Sequence, residues 1–216
     1  MARIAPLVRQ ELAALEPVLA GAEANMGFVP NSMLTMAHMP QLTMALSMLA
    51  GVVFGADLQP MMENYSKIVP QDENAAEALP PQLVQLIAYS VSLSAGCRYC
   101  QAHTSHSGHR MGVDEEKFAN ILQYETSADF EPAEKAVIAL GLAAGQVPNE
   151  SSDAQFAALA EHFSERQIVQ IVAVISLFGF LNRWNDTVAT QLESGPVAFA
   201  QAVLGGSGWQ VDKHGA

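Results

Sequence analysis

The sequence predicts an all-α fold, and three features predict it. Ala, Leu, Met and Gln are abundant while aromatic residues make up only 7% of the chain, a balance that favours helices over strands. Apolar residues recur at helical spacing along most of the chain. No stretch alternates apolar and polar residues with the period of a half-buried strand.

The elements follow in order. Residues 5–25 carry Leu7, Leu12, Leu15, Val18 and Leu19 at helical spacing and stop near Gly27. Pro30-Asn31-Ser32 breaks the chain and caps a helix that reads through Met39. Pro40 opens the next, whose apolar pattern runs from Leu42 to Phe54. Residues 70–81 are a polar, proline-punctuated connection. A strongly apolar helix spans Gln82 to Ala95, and Gly96 separates it from a helix over Cys97 to Met111 that ends at Gly112. Asp114 caps a helix through Gln123, with Glu115 and Glu116 in its first turn. Glu131 to Ala144 and Ser152 to His162 read as two more, and a long apolar run after Glu165 continues past Trp184 towards Leu192.

With 216 residues, half of them apolar, the chain is long enough to bury one sizeable core. We read a single all-helical domain over 1–216. Its parts are N-terminal helices (1–69), a half carrying the cysteines (80–125), a second half (131–205) and a short flexible tail (206–216). The net charge of −12 and the lack of a Lys/Arg cluster exclude a nucleic-acid partner. Ile168 to Leu181, a strongly apolar segment of fourteen residues that includes Gln170, is too short to span a membrane and suits a buried helix. Met-Ala-Arg-Ile-Ala-Pro does not look like a signal peptide, so the expected compartment is the reducing cytoplasm. There a closely spaced cysteine pair is more often catalytic or metal-binding than structural.

Gln82 to Cys100 aligns without gaps on Gln167 to Asn185, an offset of 85. Gln82/Gln167, Val84/Val169, Gln85/Gln170, Ala88/Ala173 and Arg98/Arg183 are identical. The echo reads as an internal pseudo-repeat of two helical halves around a shared core. Its second copy carries Asn182 and Asn185 where the first has Cys97 and Cys100, so one half keeps the chemistry.

That chemistry lies in Cys97-Arg98-Tyr99-Cys100-Gln101-Ala102-His103. With a helix starting at or near Cys97 and about 100° per residue, His103 falls about 60° from Cys100 and one turn further on. It is therefore the histidine that can reach Cys100, while His106 and His109 rotate away as solvated residues. A helix N-terminus and an imidazole both favour the thiolate, which is the nucleophile. A second thiol can resolve an oxidised intermediate as a disulfide. No cofactor motif is present. Cys97, Cys100, His103 and His106 drift around one helix and cannot converge on zinc, so a metal would need outside ligands such as His162. No metal is expected. Nine of ten methionines lie before residue 63. They read mainly as core and subunit packing, with a flexible surface for substrate or partner as the other reading.

The segment from Cys97 to Thr104, preceded by an apolar helix and Gly96, resembles the carboxymuconolactone decarboxylase/alkylhydroperoxidase D superfamily. It looks closest to the peroxidase-related branch. The resemblance extends through Met26-Gly27-Phe28-Val29-Pro30-Asn31 and Phe178-Gly179-Phe180-Leu181-Asn182-Arg183-Trp184-Asn185-Asp186, and so covers most of the chain. It implies an alkylhydroperoxidase D-like helical fold, a homo-oligomer (trimer or hexamer) and reduction of a hydroperoxide through a redox-active disulfide centre. It also implies that Cys100 attacks and Cys97 resolves, with a histidine as proton relay. Peroxidase members place that histidine four residues after the second cysteine, where this chain has Thr104, leaving His103 as the nearest substitute. They place a glutamate where this chain has Gln85, which can hydrogen-bond but cannot take up a proton. The histidine between their cysteines is replaced by Tyr99.

The expected function is thus a thiol-dependent, antioxidant peroxidase with Cys100, Cys97 and His103 as catalytic residues. Its expected partners are a small hydroperoxide and a dithiol or protein reductant. One rival is a general thiol–disulfide oxidoreductase or redox sensor acting on a protein partner. The other is a non-enzymatic helical scaffold or metal-binding protein whose thiols do not cycle.

Overall fold

Helix starts in this chain coincide with prolines and short polar side chains that satisfy the free amides of a first turn. In the computed structural model, which describes residues 2–215, α1 (Glu16–Met26) carries Pro17 in its first turn and stops where Gly27 adopts φ +80°. α2 (Asn31–Met36) follows an extended Pro30, and α3 (Pro40–Val53) opens on its own proline. α4 (Leu58–Tyr65) is capped by Asp57, whose carboxylate accepts from the Gln59 amide at 3.0 Å. α5 (Pro81–Ser94) again opens on proline, α6 (Arg98–Arg110) is capped by Cys97 and α7 (Glu115–Ala119) by Asp114. Ahead of α8 (Pro132–Ala144), Glu134 reaches back to accept the Glu131 amide at 2.9 Å. Ser152 and Gln155 form the reciprocal box at α9 (Asp153–Ala160). α10 (Glu165–Val188) and α11 (Ser194–Leu204) complete the set, and no strand occurs among the described residues. The protein is all-α.

By the contacts within it the chain divides into two compact units, Met1–Ala78 with Glu165–Val169 and Leu79–Ser164 with Gln170–Ala216. Each buries its own apolar cluster. In the first, Leu15, Val18, Leu19, Met33 and Met44 meet, whereas Met26 and Met62 stay exposed. Within the same unit the Arg166 guanidinium donates to both carboxylate oxygens of Asp72, at 3.3 and 2.6 Å. In the second, α5 lies against α6 and α8, and α11 against α6 and α7. Leu86, Tyr89, Phe118, Ile138, Leu204 and Trp209 form its core. Close approach there requires glycine: a Cβ on Gly108 would stand 2.4 Å from the Phe118 ring.

Four local readings change. α4 is a helix the sequence did not announce, because Pro60 suggests a break; at the third position it costs no intrahelical bond. α11 was likewise unannounced. The two copies of the echo are both helical but differ at one point: the first breaks at Gly96, with φ +78°, whereas the second is continuous within α10, where Leu181 stands at the corresponding place. The tail is ordered, with 3₁₀ turns at Gly205–Ser207 and Asp212–His214 and with Trp209 and His214 buried. Apolar burial of the indole and two hydrogen bonds to the imidazole hold it. α10, at 24 residues, is long and apolar enough by length and composition to cross a membrane, a test that a core helix also passes.

Candidate active site

The break between α5 and α6 is built to present Cys97. Gly96 supplies the left-handed turn, and the Ser92 carbonyl accepts from both the Cys97 amide at 3.1 Å and the Gln101 side chain at 3.2 Å. Cys97 is thereby left extended, at φ −76° and ψ 102°, as the N-cap of α6 rather than its first helical residue. Its sulfur does what a capping oxygen does elsewhere, accepting the Cys100 amide at 3.4 Å. Both thiols are free and almost closed to solvent, Cys97 at 0% and Cys100 at 3% exposure.

The two sulfurs titrate as a pair with opposite tendencies. Cys100 is held below the ordinary thiol value of 9.0 by a hydrogen bond from Cys97 and a second from Asn185, against burial and the nearby Asp186 charge. Cys97 is pushed up by sharing that hydrogen bond and by burial. The shared hydrogen bond runs from Cys97 to Cys100, so Cys100 is the sulfur of the pair whose thiolate is the more favoured. The Asn185 amide sits 3.5 Å from Cys100 Sγ, and it is the residue that occupies the Cys100 position in the echo.

The structure brings Cys97 and Cys100 together but turns His103 elsewhere. Its Nε2 lies 2.7 Å from Glu193 Oε2, and its ring stacks on Tyr99 at 4.4 Å between centroids. The Tyr99 hydroxyl donates to the other Glu193 oxygen at 3.3 Å. Cys100 and His103 are both within α6, so the 60° of the helical wheel holds between them; what the wheel could not foresee is Glu193, which engages the imidazole. Thr104, at the family's histidine position, is buried and donates to the Cys100 carbonyl at 2.7 Å. Gln85 has its Cβ against Gly108, two turns beyond Cys100 on α6. His106 and His109 lie against Phe199, and His162 against Phe163.

Residues that sequence reasoning missed take the near places. Asp186 Oδ1 is 3.1 Å from His214 Nε2, and His214 Nδ1 is 2.8 Å from the Thr190 carbonyl. Donor atoms of Cys97, Asp186 and His214 all lie within 4.8 Å of one another. Asn185 is marked in the sequence as the echo's counterpart of Cys100 and Asp186 only as the end of the Phe178 to Asp186 run; nothing local marks His214. Asp186 also lines a groove of about 1190 Å³ with Val91, Ile175, Phe180, Asn182 and Trp184. Asn182 is 4% exposed, and both polar atoms of its amide lack a partner.

An all-helical chain with a buried dithiol at a helix start is matched by the carboxymuconolactone decarboxylase family over residues 62–143, which include both cysteines. Two solved structures of the debrominase Bmp8 match nearly the whole chain. The apo form is 32% identical, with a TM-score of 0.56, covering 93% of this chain and 97% of that one. A cysteine-to-alanine variant of Bmp8 in complex with 2,3,4-tribromopyrrole is 32% identical, with a TM-score of 0.57, covering 94% and 98%. Nothing among curated proteins matches. The chain belongs to the carboxymuconolactone decarboxylase family, and its fold and relatives are those of an enzyme.

Proposed function

We propose that this chain is a thiol-dependent reductive enzyme that passes two electrons from the Cys97–Cys100 pair to a small electrophile. The observation that carries it is the buried, free thiol pair with an amide at one sulfur: Asn185 donates to Cys100 Sγ at 3.5 Å, and with the hydrogen bond from Cys97 this holds the Cys100 thiol below its ordinary value while Cys97 is pushed up. Cys100 attacks a polarised atom X of a substrate R–X and forms S–X, while R leaves as an anion. Cys97 gives its proton to R and becomes a thiolate. That thiolate attacks the Cys100 sulfur, closes the disulfide and expels X as an anion. A dithiol or protein reductant then restores both thiols.

The substrate reading we favour is a halogenated aromatic ring, with X the halogen. It rests on full-length similarity to a debrominase and on a groove with an aromatic wall, Phe180 stacked with Trp184 at 6.3 Å. The second reading is a hydroperoxide, with X the terminal oxygen and Cys100 passing through a sulfenic acid. The Cys-x-x-Cys resemblance supports it, whereas Gln85 and Thr104, in the places of the relay groups, do not. The reduced protein should be given 2,3,4-tribromopyrrole and, separately, an organic hydroperoxide, with a dithiol present. Bromide release that needs Cys100 supports the first reading, and hydroperoxide loss alone supports the second. A folded protein that does neither refutes both.

A further inference from the structure

We propose that Cys97, Asp186 and His214 form a binding site for a soft divalent cation of the zinc type. Each donor comes from a different place: the cap of α6, the last turn of α10 and the 3₁₀ turn Asp212–His214. Their donor atoms lie within 4.8 Å of one another, and Cys97 and His214 are closed to solvent. A sulfur, an imidazole nitrogen and a carboxylate oxygen are a donor set for zinc-like ions rather than for magnesium or calcium.

The imidazole carries the argument. Its Nδ1 faces the Thr190 carbonyl at 2.8 Å, and a carbonyl only accepts, so Nδ1 bears the hydrogen. Its Nε2 is directed at Asp186 Oδ1, 3.1 Å away, so an imidazole nitrogen and a carboxylate oxygen can face one cation placed between them. Ligands around a tetrahedral ion with bonds of about 2.0–2.1 Å stand at this kind of separation. The Thr190 carbonyl plays the part that a backbone oxygen plays behind many metal-bound histidines, fixing tautomer and ring plane. The opposing group is Lys213, whose Nζ lies 3.6 Å from the same Asp186 oxygen and competes for it. A fourth position falls to Cys100 or to water. Binding displaces the Cys97 proton, so the cation and the disulfide exclude each other.

The site shares Cys97 with the proposed reaction but is read without turnover. Failure of either proposal therefore leaves the other standing. Reduced protein titrated with Co²⁺ should bind one equivalent with a thiolate-to-metal charge-transfer band, and Zn²⁺ should displace it. His214→Ala and Asp186→Ala should each weaken binding about tenfold or more, Lys213→Gln should tighten it, and the disulfide form should lose it. A folded, reduced wild-type protein without the thiolate band overturns the proposal, whatever the variants do. So does a band that His214→Ala leaves unchanged, since the metal would then be held elsewhere.

Discussion

Replacing Asn185 with leucine keeps the side-chain volume near Cys100 and removes the one amide that donates to its sulfur, at 3.5 Å. A hydrogen bond to a charged acceptor contributes about 1.5–3 kcal/mol at short range. The long contact to sulfur puts this one at the low end, about 1.4 kcal/mol, which is tenfold in an equilibrium. The hydrogen bond from Cys97 remains, so the thiolate is weakened and not lost. The sign follows from the direction of the shift. Cys100 is held below the ordinary thiol value, so its thiolate persists above that lowered point and disappears as pH falls through it. In Asn185→Leu the loss should come at higher pH, by about one unit for a tenfold change in the equilibrium, and single-turnover reactivity at pH below the wild-type midpoint should fall about tenfold. The midpoint is read from thiolate absorbance near 240 nm across a pH series, with thermal melting as the check that the fold is intact. If reactivity drops while the midpoint stays in place, Asn185 positions the sulfur without stabilising its charge, and the reasoning fails.

Further outcomes follow from the same geometry. Cys100→Ser should abolish reaction with halide and hydroperoxide, whereas Cys97→Ser should react once and stall, with hydroperoxide leaving a sulfenic acid trapped by dimedone in mass spectrometry. The reverse pattern would exchange the roles of the two thiols. His103→Ala should change the first step less than twofold, because the ring is engaged with Glu193; a loss of about 10²-fold or more, the scale of a general base, would restore it as one. Asp72→Asn leaves Arg166, 7% exposed, without its counter-charge and should cost about 3 kcal/mol in urea unfolding. Since Arg166 holds the Asp72 carboxyl below its ordinary 3.8, the wild-type contribution is full above that value and lost as pH falls through the lowered one. The exposed apolar stripe Leu177, Phe180, Trp184 and Val188 on α10 should associate copies of the chain into a trimer or hexamer. Light scattering that gave only a 23.1 kDa species would refute this.

Much of the fold and part of the site are written locally. Helix starts at Pro40, Asp114, Glu131 and Ser152 depend on contacts within one turn and are legible in the sequence, and the one at Pro81 reads a single residue late, at Gln82. The cysteine pair is equally local: three residues set its spacing, and Gly96 sets its break. Partners distant in the chain are another matter. His103 meets Glu193 across 90 residues, Cys100 meets Asn185 across 85, and His214 meets Asp186 across 28. Such pairs depend on how α10, α11 and the final turn pack against α6, which no helical wheel contains. The wheel placed a histidine beside the nucleophile, and the domain reading took residues 206–216 to be a flexible tail. Tertiary packing gave that histidine to an exposed glutamate and carried a different one, from the last turn of the chain, to within 4.8 Å of Cys97. Periodicity and capping are short-range physics and can be read from neighbours, whereas the surroundings of a buried sulfur are fixed only when separate helices close over it.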